Sequence, residues 1–361
     1  MIDLDDLYKV GPYSLKKEEK NKILIEYLNY LTLHHINHCE PYKKIHQALK
    51  TININFERLE DFPFLPVRLF KDFTLKSIDD SEVFKVLTSS GTTSQKVSRI
   101  FTDKNTSLYQ TKTLVKILQN FIGSKRLPMI IIDTSNVIKD RNLFSARGAG
   151  ILGLSTFGRD HFYLLDEEMN IDINGFEQFL EKHEREELLL FGFTFMVLQY
   201  FYKNLLRTGK KYNLQRGTLI HSGGWKKLTE EAVDNKIFKK SLKDLLGLKK
   251  IFNFYGMVEQ VGSIFMECEN GNLHAPIFSD VIIRNPYDWS DSGFNKEGII
   301  EVISILPHSY PGHILLTEDT GVVLGEDNCT CGRYGKYFKI IGRIPKAEIR
   351  GCSDTHAYQS I

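Results

Sequence analysis

Short apolar runs separated by helical stretches constrain this chain more than any other feature. Met129-Ile130-Ile131-Ile132, Leu188-Leu189-Leu190-Phe191 and Lys250-Ile251-Phe252-Asn253-Phe254 suit buried strands, and the stretches near 194–206 and 229–247 between them carry helical patterns. A strand covered on both faces needs apolar side chains on both, and helices laid over a parallel sheet supply that cover. The alternation therefore predicts a layered α/β fold with a largely parallel sheet. Beyond about residue 260 the pattern changes to short strands at 263–266, 280–284, 298–304 and 314–317, with Asn270-Gly271 and Ser292-Gly293 as turns, so a β-rich subdomain is expected there. The first 80 residues read as helical and loop-rich: within 16–33, Ile23, Tyr27, Leu28, Tyr30 and Leu31 share helical spacing, and Pro63 and Pro66 later interrupt any regular element.

Composition removes several function classes. With 42% hydrophobic and 25% charged residues in 361, the chain is globular in type, and neither disordered nor fibrous. Lys plus Arg total 47 against 45 acidic residues, a net charge of +2, and no segment is basic enough to suggest a nucleic-acid partner. No apolar run approaches the ~20 residues that span a bilayer. The acidic start, Met1-Ile2-Asp3-Leu4-Asp5-Asp6, lacks the pattern of a secretory signal. Five cysteines do not make a disulfide scaffold, so a reducing, cytoplasmic location is expected, where cysteine serves metal, catalysis or core.

The strand-like Phe84-Lys85-Val86-Leu87 runs into Thr88-Ser89-Ser90-Gly91-Thr92-Thr93-Ser94-Gln95-Lys96, and a helix with Leu108, Leu114, Val115, Leu118, Phe121 and Ile122 on one face comes next. A triphosphate needs many hydrogen-bond donors at close range, which hydroxyls and a backbone opened by glycine can supply, with Lys96 as the cation. The run is not a Walker P-loop, since Lys96 lacks the preceding glycine and the following Ser or Thr. Taken alone it reads better as a surface loop with Ser and Thr caps.

Further segments occur in order: Asn253-Phe254-Tyr255-Gly256-Met257-Val258-Glu259-Gln260, then Thr317-Glu318-Asp319-Thr320-Gly321, then Gly342-Arg343. In this order the sequence resembles the adenylate-forming enzymes, the superfamily of acyl-CoA synthetases and peptide-synthetase adenylation domains. Two positions depart from that pattern: Val258 stands for a threonine, and Glu318 for the glycine of a Thr-Gly-Asp segment. Within the superfamily the chain resembles the LuxE family of acyl-protein synthetases. The carriers are the loop 87–93, His221-Ser222-Gly223-Gly224-Trp225-Lys226, and the tail from Gly342-Arg343 through Ile344-Pro345-Lys346 to Gly351-Cys352-Ser353.

The resemblance implies the adenylate-forming large-domain architecture, layered α/β sheets plus a β-rich subdomain, with the C-terminal domain reduced to a short tail. It implies an N-terminal helical segment over 1–80, an ATP- and acyl-binding domain over 81–342, and a tail over 343–361. It places Ser89, Ser90, Gly91, Thr92, Thr93 and Lys96 around the ATP phosphates, with Gly223 and Gly224 as a turn against the nucleotide. Tyr255 and Gly256 join the nucleotide site, Glu259 holds Mg²⁺, Asp319 accepts from the ribose hydroxyls and Arg343 neutralises phosphate or ribose oxygen. Taken singly, Asp319 and Arg343 read better as an ordinary turn acid and a surface base.

Cys268 and His274 flank a turn, and Cys329-Thr330-Cys331 comes later. Three thiols and one imidazole form a closed tetrahedral set for structural Zn²⁺, and phenylacetate-CoA ligase-like sequences are similar here. The alternative is four unrelated residues. His34, His35, His38 and Cys39 form a second cluster, read as a partly exposed polar helix face without assigned function.

Cys352 lies in the tail beside Gly351 and Ser353, with Arg350 near. The thiolate is the nucleophile of thioester chemistry and a neighbouring cation favours it; the alternative is a spare residue in a frayed tail. The resemblance makes Cys352 the acyl acceptor, which hands the group to an acyl-CoA-reductase-like or acyl-carrier partner. It also leaves open which lysine, Lys346 or Lys226, replaces that of the missing domain. The function expected is ATP-dependent activation of a fatty acid and its transfer to a protein thiol. Competing readings are a phenylacetate-type CoA ligase and a non-catalytic paralogue in a biosynthetic complex.

Overall fold

A computed structural model describes residues 3–52, 54–89, 96–139, 146–223 and 235–344. Within them the chain forms two compact units, one from residues in 3–89, 96–121 and 256–344, the other from residues in 122–223 and 235–255.

The first unit opens with helix α1 (Lys17–His38), which extends five residues past the predicted stretch before Cys39 adopts extended backbone, and helix α2 (Glu40–Ala48) starts with Pro41 in its first turn. Ile23, Leu24, Tyr27 and Leu28 of α1 pack with Phe56, Leu59 and Phe62 and with Phe278, Ile282, Ile303 and Ile314 from the β-rich part, in one apolar cluster. A two-stranded antiparallel hairpin, β1 (Lys85–Thr88) and β2 (Arg99–Thr102), leads into helix α3 (Lys104–Ile122).

The second unit is a five-stranded parallel sheet. Its elements are β3 (Leu127–Thr134), α4 (Ala146–Ser155), β4 (Gly158–Leu165), α5 (Ile173–Lys182), β5 (Leu188–Phe193), β6 (Gly217–Ser222), α6 (Asn235–Leu246) and β7 (Lys250–Tyr255). The strand order is β7-β6-β5-β3-β4, every pair parallel. Strands β3, β5 and β6 are buried along their whole length, which explains the unbroken apolar runs in β3 and β5. The order reverses between β3 and β5, a topological switch point at the carboxyl edge of the sheet, where open α/β folds leave a crevice. The helix expected at 194–206 runs to Thr208 but is π-helical over Val197–Tyr202.

The β-rich part of the first unit holds β8 (Phe265–Glu267), β9 (Leu273–His274), β10 (Ser279–Arg284), β11 (Gly298–Ser304), β12 (Ile314–Glu326) and β13 (Lys336–Arg343). These pair antiparallel as β10-β11-β12-β13 and β13-β9-β8. Strand β12 continues nine residues beyond the predicted 314–317, because its second half alternates buried and half-buried positions instead of reading as a solid apolar run. Among the described residues no helix is long and apolar enough to cross a membrane.

The imidazole face of α1 is partly exposed, as expected: His38 is exposed and His34 half-buried, while His35 and Cys39 are buried. The segment after β11 brings His308 and His313 against it, with ring centroids 3.9 Å apart for His34 and His308 and 4.9 Å for His35 and His313. Both nitrogens of His35 are engaged, Nδ1 with Ser77 Oγ at 2.7 Å and Nε2 with the Pro307 carbonyl at 3.0 Å. Burial first, and neighbouring imidazoles second, push His34 down to about 4 and His313 down to about 3, with His35 also well below its ordinary value. Below pH 6.5 the unfolded chain takes up protons that these buried rings refuse. Stability is therefore full above pH 6.5 and falls as pH drops toward 3, by roughly 1–2 kcal/mol per such histidine on reaching pH 5. Thermal midpoints by circular dichroism should drop between pH 7.5 and 5.5; an unchanged midpoint would mean that the rings accept protons inside the fold.

Candidate active site

Of the hydroxyl-rich segment the structure describes Thr88 and Ser89, at the end of β1, and Lys96, ahead of β2. Ser89 anchors its base: its N–H donates to the Ser98 carbonyl at 3.1 Å, and its Oγ accepts from the Ser98 N–H at 2.9 Å. Ser90, Gly91, Thr92 and Thr93 lie outside the described residues. Lys96 is exposed, with Nζ 3.5 Å from the Asp72 carboxylate, a solvent-screened pair that holds the ammonium only weakly.

Glu259 sits in a single 3₁₀ turn, Val258–Gln260, and is buried. Gln260 fastens that turn, its Nε2 donating to the carbonyls of Val302 at 3.1 Å and Gly312 at 2.8 Å. Gly262 completes it at φ +91°; a Cβ there would lie 2.6 Å from the Gln110 carbonyl oxygen, so no other residue fits. Burial, and after it the charge of Glu259, keep the Tyr310 phenol protonated. The sequence pattern singled out Glu259 but not Gln260, whose buried amide is what positions the turn.

Asp319 and Arg343 are brought together as register partners across β12 and β13. Arg343 Nε lies 3.9 Å from Asp319 Oδ1, and its Nη2 donates to Glu318 Oε2 at 2.9 Å. The Asp319 N–H donates to Thr317 Oγ1 at 3.1 Å, and Thr317 Oγ1 donates to the Ile300 carbonyl at 2.8 Å. Glu318, one of the two departures from the family pattern, thus has a physical role: it tethers the guanidinium beside Asp319.

In the second unit Gly223 follows β6 at φ +88°, and a Cβ on it would lie 3.5 Å from Phe193. The preceding residues are tied down: Ser222 Oγ donates to the Phe254 carbonyl at 2.9 Å, and Thr194 Oγ1 donates to the Ser222 carbonyl at 3.1 Å while meeting His221 Nδ1 at 2.9 Å. Burial pushes His221 down to about 3, so the ring is neutral. Tyr255 ends β7, and Gly256 begins the return to the first unit. Gly224, Trp225, Lys226, Lys346 and Cys352 lie outside the described residues.

Cys268, His274, Cys329 and Cys331 converge, their ligand atoms all within 4.8 Å of one another. Cys331 Sγ is 3.4 Å from His274 Nε2. Two tight turns shape the set: the Gly271 N–H donates to the Cys268 carbonyl at 2.9 Å, and the Gly332 N–H to the Cys329 carbonyl at 3.0 Å. The amides of Asn270 and Asn272 each donate to Cys329 Sγ at 3.8 Å. Burial pushes the Cys268 thiol up to about 12 and His274 down to about 4. His274 Nδ1 is buried with no hydrogen-bond partner among the described residues.

Against known sequences, the family model described as acyl-protein synthetase, LuxE, matches residues 1–359. A long-chain-fatty-acid–luciferin-component ligase of Vibrio harveyi is 22% identical over 365 residues, covering 97% of this chain and 92% of that protein. The protein of the same name from Aliivibrio fischeri is 21% identical over 333 residues, covering 89% and 85%. Among solved structures, an open conformation of a 2-hydroxyisobutyryl-CoA ligase in complex with 2-HIB-AMP and CoA superposes with a TM-score of 0.69 at 13% identity, covering 93% of this chain and 72% of that one. The expected fold class, that of adenylate-forming ligases, is therefore the one observed.

Proposed function

The chain belongs to the acyl-protein synthetase LuxE family, and from that premise we propose that it activates a long-chain fatty acid as the acyl-adenylate and transfers it to Cys352. Membership and fold together make it an acyl-activating ligase. The observation that best supports the nucleotide assignment is the in-register pairing of Asp319 with Arg343, steadied by Glu318.

In the first step a carboxylate oxygen of the acid attacks the α-phosphorus of ATP and the bond to the pyrophosphate oxygen breaks, giving acyl-AMP and pyrophosphate. The protein's part is to position two anions and screen their charge. Asp319 accepts from the ribose hydroxyls, Arg343 faces phosphate or ribose oxygen, and Ser89–Thr93 with Lys96 cradle the phosphates. Gly223, Gly224, Tyr255 and Gly256 carry the backbone and ring surfaces for the nucleotide. Glu259 is the carboxylate that would hold Mg²⁺, which supplies charge screening at the triphosphate; its single turn, clamped by Gln260, suits a fixed ligand. In the second step the Cys352 thiolate attacks the acyl carbonyl, AMP leaves, and a thioester remains for an acyl-CoA-reductase-like or acyl-carrier partner. Mass spectrometry of the protein incubated with ATP, Mg²⁺ and a panel of acids tests this: one acyl mass is expected on Cys352, and AMP without any acylated residue would refute the transfer.

The cysteine–histidine cluster is proposed as a structural Zn²⁺ site. Tetrahedral Zn–S bonds of about 2.3 Å set neighbouring sulfurs roughly 3.8 Å apart, a contraction of about 1 Å from the outer limit observed. The donor set is closed, so its work is to pin the β8–β9 turn to the segment before β13. Elemental analysis should find about one zinc per chain, and Cys329→Ser should lower both zinc content and thermal midpoint. A purified protein with no zinc and an unaltered midpoint in the variant would exclude the site.

A further inference from the structure

The strongest unexplained group outside the residues already assigned is a guanidinium inside the second unit. Arg147 stands in the first turn of α4 and is 3% exposed; Asp133, near the carboxyl end of β3, is 1% exposed. Arg147 Nε lies 3.0 Å from Asp133 Oδ2, close enough for an ion pair, but the angle is not that of a hydrogen bond. Among the described residues Arg147 Nη1 has no hydrogen-bond partner. A buried donor left unmade costs about 1–3 kcal/mol or more when charged, so native proteins rarely tolerate one unless a ligand, water or ion meets it.

The location says which of these to expect. Asp133 and Arg147 border the switch point between β3 and β5, where ligands enter open α/β sheets. The first turn of α4 contains no acidic residue and its dipole favours an anion. Gly150, one turn from Arg147, would place a Cβ 3.0 Å from Phe193 Cζ, and Gly223 would place one 3.5 Å from Cδ1 of the same ring. The start of α4 and the Gly223 turn therefore lie at two edges of a single phenyl group.

We propose that Arg147 is the carboxylate anchor of the acid substrate: its Nη1, with the α4 amino terminus, binds the carboxylate before adenylation while the Phe193 ring lies against the first carbons of the chain. This rests on the reading that the chain activates a carboxylic acid. Asp133 fixes the guanidinium from its other edge and leaves Nη1 for the ligand. Arg147 is thus a binding and positioning residue, and its charge selects acids over neutral alkyl compounds.

Calorimetric titration of the full chain with decanoate and, separately, with decanamide tests the proposal without requiring turnover. Wild-type protein is expected to prefer decanoate by on the order of 10- to 100-fold. Arg147→Met should abolish that preference with decanamide affinity retained, and Arg147→Lys should restore part of it. Because Arg147→Met leaves Asp133 buried and unpaired, Asp133→Asn/Arg147→Met provides a neutral pair of similar volume. Retained preference in the double variant, no preference in the wild type, or loss of AMP affinity in place of decanoate affinity would each overturn the assignment. Preferential decanoate binding by a protein that makes no acyl-AMP would contradict the adenylation reading and leave the anchor standing.

Discussion

Cys352→Ser should abolish acyl labelling of the protein while acid-dependent pyrophosphate exchange continues at the wild-type rate. In the proposed mechanism the two half-reactions use different groups. Adenylation needs the nucleotide residues, none of which is the tail thiol, whereas transfer needs a nucleophile ionised near neutral pH. A thiol with an ordinary pKa near 8.5 has a usable thiolate fraction that Arg350 nearby can raise, and a serine hydroxyl has none. With labelled tetradecanoate and ATP, the wild type should carry hydroxylamine-sensitive label and the variant should carry none. Equal labelling of both would remove Cys352 from the mechanism, and label lost together with exchange would mean that the tail takes part in adenylation itself.

Glu259→Gln should lower acid-dependent exchange by on the order of 10²- to 10³-fold, the usual cost of removing one charge-stabilising group from a reacting centre. Glutamine matches glutamate in shape, and the backbone of this turn is held by Gln260 through the Val302 and Gly312 carbonyls. The variant should therefore fold normally by circular dichroism. Because the lost group is a Mg²⁺ ligand in this account, raising Mg²⁺ should recover part of the rate. A decrease below tenfold, or one indifferent to Mg²⁺, would show that Glu259 serves the packing of the turn and not the metal.

The parallel half of the fold was legible because burial on both faces forces apolar residues into unbroken runs, as in β3 and β5. Strand β13 gave no such signal: Lys336, Lys339 and Arg343 interrupt it, and it is held by pairing with β12 instead of by a buried face. Helix α4 was missed as well, since Gly148, Gly150 and Gly153 weaken its propensity and packing against the sheet must supply the rest. In the candidate site, contiguous motifs make Glu259 and Asp319 candidates from the sequence alone. Partners distant in the chain could not be named that way: Glu318 on Arg343, Gln260 on the 302–313 carbonyls, and Asp133 on Arg147. The histidines of α1 show the same limit. Their spacing gives a polar stripe, and only the return of His308 and His313 sets a ring against His34 and another against His35. The cysteine–histidine set was the exception, legible because three thiols and an imidazole in such spacing have few other uses.

The measurement that bears most directly on the account is incorporation of labelled pyrophosphate into ATP, with purified protein, Mg²⁺ and a fatty acid. Exchange that depends on the acid, and that disappears in Asp319→Ala, is the predicted result. Exchange absent across acids from eight to eighteen carbons, or unchanged when Asp319 is removed, would contradict it.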